Sequence, residues 1–145
     1  MTAEELESAL VNEIYALGMV VNPFPENPDN YVPNAYPGEI LVRYQGAEIT
    51  DRDVSGVQAE RVQRVEIVAV GQVLRGEDGI YNRLERIRKR LDGLTLPGAG
   101  GHLELIKEEF LDEYNGTWQF GQSWRLKSIV TNEQQDNYAD CPLGT

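Results

Sequence analysis

The stretch QAERVQRVEIVAVGQVLRGEDGIYNRLERIRKRLDGL, residues 58–94, decides the fold. A long apolar-rich run reaches Leu74 and stops at the polar, glycine-bracketed turn Gly76–Gly79. After the turn, Ile80, Leu84, Ile87 and Leu91 recur at i, i+4, i+7 and i+11, the spacing that gathers side chains on one helix face. A strand over 58–74, a turn and an amphipathic helix over 79–92 follow from this pattern. Asp78 is placed to cap the helix and Gly93 to end it. The opposite face carries Arg83, Arg86, Arg88, Lys89 and Arg90, five of the chain's 13 basic residues.

Outward from this unit, Thr2 and Glu5 form a capping-box pattern for a first helix over Thr2–Leu17. Its apolar stripe is Leu6, Leu10, Ile14 and Leu17, and Gly18 is its stop. Residues 22–38 (NPFPENPDNYVPNAYPG) hold five of the seven prolines and argue against regular structure. A strand over Glu39–Gln45, an acidic loop over Gly46–Gly56 and the strand from Gln58 form a hairpin. LTLPGAGG, residues 94–101, reads as a flexible return to a strand over His102–Leu111. Asn115-Gly116 signals a tight hairpin turn. The last strand, 117–130, puts Trp118, Phe120, Trp124, Leu126 and Val130 on one side, with Gln119, Ser123, Arg125 and Lys127 on the other. The expected architecture is α+β: an antiparallel sheet with two helices packed on one face. A single domain over 1–130 is followed by a polar tail, 131–145, expected to be mobile.

With 145 residues, one domain can bury a sizeable core without a staple. The formal net charge of −11 disfavours wrapping nucleic acid, because phosphate binding needs a basic surface. Cys141 is the single cysteine, so no intrachain disulfide is expected. The polar, acidic N-terminus is unlike a signal peptide, and no run has the length of a membrane span.

Catalytic patterns are weak. His102-x-Glu104 matches half of the zinc deaminase signature, without its paired cysteines. Gly98, Gly100 and Gly101 follow a helix and precede a strand, the reverse of a dinucleotide cradle. Glu108, Glu109, Asp112 and Glu113 could hold a metal or do acid–base work, and otherwise form a solvated acidic run. The expectation is therefore no enzyme, no cofactor and no metal site. The basic stripe reads either as a solvated helix face or as a contact in a head-to-tail ring. In the second reading the stripe, with Arg83, Arg86 and Arg90, meets an acidic surface of a neighbour, either Glu48 to Asp53 or the run Glu108, Glu109 to Glu113; in a ring, Glu48, Asp51 and Asp53 are also candidates for the lumen.

The segment VEIVAVGQVLRGEDGIYNRLERIRKRLDGLTLPG, with the later WQFGQSWRL, resembles the small tail proteins of Mu-like contractile-tailed phages. That family is similar in fold and role to phage tail terminators. The resemblance implies a homo-hexameric ring that caps the head-proximal end of the tail tube and sheath and docks the neck or connector. It implies partners in the tube, sheath and neck proteins, DNA only passing through the lumen, and no membrane. The place implied is the virion tail or neck, after assembly in the host cytoplasm. The alternatives are another head–tail connector or tail-completion protein and, from another class, a small enzyme using the acidic cluster 108–113.

Overall fold

A computed structural model of the chain describes residues 1–27, 37–50 and 58–131. The order is α1 (Ala3–Tyr15), β1 (Val21–Pro23), β2 (Gly38–Ile49), β3 (Gln58–Gly71), α2 (Ile80–Leu91), β4 (Leu103–Tyr114) and β5 (Thr117–Thr131). One five-stranded sheet has the order β1-β2-β3-β5-β4. The fold is α+β, as the sequence indicates. No helix among the described residues is long and apolar enough to cross a membrane.

Both helices pack on one face of the sheet. Leu6, Leu10 and Ile14 of α1 and Ile80, Leu84, Ile87 and Leu91 of α2 share one buried cluster with Ile40, Val42, Val65, Ile67, Ala69, Leu103, Trp124 and Leu126. Alternation puts their neighbours on the helix-free face. There Leu41, Val68 and Val70 form a small second cluster, with Phe24 against it. Ion pairs Arg43–Glu66, Arg64–Glu48, Arg125–Glu104 and Lys107–Glu109 occupy much of the rest of that face.

The sheet is mixed rather than purely antiparallel. Val21–Pro23 pairs in parallel with Ile40–Val42. The proline-rich composition hides this short strand. It forms because Ile40 donates to the Val20 carbonyl and Phe24 to the Val42 carbonyl, bonds that leave Pro23 no donor to supply. The strand β2 also runs beyond Gln45, through a register shift between Tyr44 and Gly46, into what the sequence presents as loop. The Glu7 carboxylate of α1 accepts from the Tyr44 N–H there, at 2.9 Å.

The capping box at α1 is present: Thr2 Oγ1 accepts from the Glu5 N–H and Glu5 from the Thr2 N–H. At α2 the cap differs from expectation. Gly79, not Asp78, is the N-cap, and no side chain caps it. The turn instead folds back, so that Ile80 and Tyr81 donate to the carbonyls of Val73 and Leu74. These bonds satisfy N–H groups that a helix start leaves unpaired. A Cβ on Gly79 would lie 2.5 Å from the Leu74 oxygen, which explains the glycine. Likewise β3 ends at Gly71 rather than Leu74, where Gln72 donates to Pro37 and the chain turns away.

The return loop 94–101 is tied down. Thr95 and His102 form a bridge, Leu96 and Ala99 are buried, and the Gly101 Cα sits against the Lys127 carbonyl. Asn115 (φ 50°) and Gly116 (φ 80°) make the two-residue turn between Tyr114 and Thr117.

Leu10 is fully buried between α1 and the sheet. Leu10→Ala should lower unfolding free energy by about 2–5 kcal/mol, whereas Thr2→Ala should cost about 1 kcal/mol. Urea denaturation of both variants measures the contrast.

Candidate assembly surface

The sheet has two unlike edges. At one, β4 leaves nearly its whole length exposed beyond Leu105. Ile106, Phe110, Leu111 and Tyr114 are exposed apolar residues of this strand. An edge strand of this kind offers unpaired backbone groups to any neighbouring chain. Register shifts between Leu105 and Lys107 and between Phe110 and Asp112 break its regularity. Five carboxylates (Glu104, Glu108, Glu109, Asp112 and Glu113) stand against one Lys107. Bulges and charge together discourage pairing of β4 with another β4.

Aromatic side chains stiffen this end. Phe110 meets Trp118 and Phe120 edge-on at centroid distances of 6.1 and 5.6 Å, and Tyr81 of α2 meets Phe120 at 5.6 Å. Leu111 lies over Gly121, where a Cβ would come within 2.9 Å of it. On the helix face, next to Phe120, Gln122 is fully buried. Its Nε2 donates to the Leu84 carbonyl at 3.0 Å and to Glu108 at 2.8 Å, and its Oε1 accepts from Trp124 Nε1 at 3.2 Å. This one amide joins α2, β4 and β5. Its signal in the sequence is a polar residue at an inward position of an otherwise apolar alternation.

The acidic cluster does not converge. Strand alternation and register put Glu108 on the helix face with Gln122, and Glu109 opposite, paired with Lys107 at 2.8 Å. Asp112 and Glu113 accept local backbone N–H groups. No group of three His, Cys, Asp or Glu among the described residues could hold a metal. His102 lies 3.6 Å from Glu104. The Glu104 carboxyl is held below the usual carboxylate range, chiefly by its hydrogen bond from Arg125.

The basic face of α2 turns toward α1. Arg86 donates to the Leu17 carbonyl at the end of α1, and Arg90 pairs with Glu13 at 2.8 Å. Arg88 instead bonds Glu85 on its own helix. Arg83 lies two turns before Arg90, on the same side as Arg86 and Arg90. Arg83, Arg86 and Arg90 are therefore on the α1 side of α2, away from Glu108 and Glu109 on β4. No single molecule brings the two sets together. Glu48 is exposed and lies 3.7 Å from Arg64, while Asp51 and Asp53, like the tail 132–145, fall outside the described residues.

At the other edge, the end of α1 and β1 border an open depression lined by Tyr15, Ala16, Gly18 and Met19–Asn22. Tyr15 and Val20 at its mouth are 72% and 47% exposed, large values for apolar side chains. Leu17, which Arg86 holds, lies between the lining residues Ala16 and Gly18.

Comparison with known proteins fixes the family. A family model described as Gp37 protein matches residues 14–141. The chain belongs to the Gp37 protein family. Its fold is similar to that of a chain in the virion of a native gene transfer agent particle. The two are 14% identical, with a TM-score of 0.57 over 88% of this chain and 95% of that one. No match was found among the curated proteins. The matched family is thus Gp37, and the likeness to Mu-like small tail proteins remains a reading of the sequence. In this Gp37 chain the match spans both edges of the sheet and the Gln122 network between them.

Gln122→Leu should cost about 1–3 kcal/mol, because it leaves Trp124 Nε1 and Glu108 without their buried partner. Thermal melts measure it. The Arg125 bond to Glu104 is fully formed above the ordinary carboxylate pKa and is lost as pH falls through the depressed value. The stability difference between wild type and Arg125→Gln should therefore shrink on acidification, as denaturation at several pH values would show.

Proposed function

We propose that the protein is a structural virion subunit, a tail terminator whose ring caps the head-proximal end of a tail tube and docks the neck. The observation that carries this is the fold shared with a virion chain over nearly the full length of both. The two unlike sheet edges add support, since a subunit with different surfaces on opposite sides can close a ring head to tail. A homo-hexamer accords with the resemblance to tail terminators. So do contacts with the tube and neck proteins and, in a contractile tail, with the sheath. The net charge of −11 suits a ring through which DNA slides without sticking. In this reading Glu48, with Asp51 and Asp53 beyond it in the chain, contributes to the lumen. The dispersed carboxylates of β4 favour this structural role over acid–base or metal chemistry.

Deleting the gene tests the role. Electron micrographs should show tubes of uncontrolled length and heads without tails. Tails of normal length joined to heads would contradict it.

A further inference from the structure

We propose that the ring closes through the two unlike sheet edges. The β4 edge of one copy presses Ile106 and Phe110 into the pocket between Tyr15 and Asn22 of the next copy. Glu108, on the same face of β4 as Phe110, then approaches the neighbour's Arg86 and Arg83. This contact rests on the ring reading above and specifies its interface.

The occupant is a second copy for three reasons. First, the surfaces lie at opposite edges of one sheet, four strand spacings apart or about 19 Å. A single chain cannot bring them together, and a repeated contact between them turns every subunit in the same sense. Second, their chemistry is complementary. The β4 edge offers exposed Ile106 and Phe110 among carboxylates, and the other offers an apolar pocket beside the arginine side of α2. Third, other pairings of these edges are disfavoured. Meeting of β4 with β4 opposes carboxylates to carboxylates across a strand interrupted by two register shifts. Strand addition at β1 meets Pro23, which has no N–H to give. Insertion of side chains into the pocket meets neither obstacle.

The test uses Ile106→Asp and Phe110→Asp on one edge, and Tyr15→Asp and Val20→Asp on the other. Ile106→Asp is included because Phe110 also touches Trp118 and Phe120 within its own chain. Circular dichroism melts confirm folding. Sedimentation velocity of the full chain should show a ring for wild type and monomer for each variant. An equimolar mixture of Ile106→Asp with Tyr15→Asp should form dimers and nothing larger, because each pair retains one intact contact. Folded variants that keep the wild-type mass would overturn this interface and leave the ring reading standing. A mixture that stays monomeric would show that the two edges do not meet each other, which also overturns it. A monomeric wild type would overturn the ring reading and this contact together.

Discussion

Everything in the molecule takes its position from β3. This strand pairs along its length with β2 on one side and β5 on the other. It buries Val65, Ile67 and Ala69 beneath the helices, and Val68 and Val70 on the opposite face. A register slip of one residue would exchange these sets and bring Glu66 and Arg64 under the helices, so the register is strongly fixed. Fixed register places Gln122 opposite Ile67, and Gln122 in turn anchors α2 and β4. The outer edges inherit their location from that chain of contacts.

Local features were legible in the sequence. The helix stripes, the capping box at Thr2 and the Asn115-Gly116 turn depend on residues a few positions apart, and each appears in the structure, except that α1 ends at Tyr15 and leaves Leu17 beyond it. Features that depend on distant partners were not. β1 exists only because β2 lies beside it. The N-cap at Gly79 replaces the expected Asp78 because the carbonyls of Val73 and Leu74 already take the helix's first N–H groups. Glu7 and Gln122 look like ordinary polar residues until the Tyr44 N–H and the Leu84 carbonyl are seen beside them. The arginine face was legible as a stripe, but its contacts with Leu17 and Glu13 depend on where α1 packs.

These contacts change what the arginines can do. Arg86 and Arg90 tie α2 to α1 and to the residues just after it, and the Leu17 that Arg86 bonds is next in sequence to two residues of the Tyr15 pocket. The cationic side of α2 and the anionic edge strand thus face away from each other. A fold with this polarity is suited to repeated, same-sense contacts between identical subunits. Its carboxylates, by contrast, are distributed over both faces of β4, bonded to Gln122, Lys107 and local backbone, which suits a surface better than a reaction centre.

We propose that such contacts build a ring at the head-proximal end of a tail. Cryo-electron microscopy of intact particles, with this chain located in the map, tests it most directly. A closed ring of this chain should lie between the tail tube and the neck, encircling the DNA path. Density for the chain at the distal end of the tube, or on the capsid shell, would contradict it.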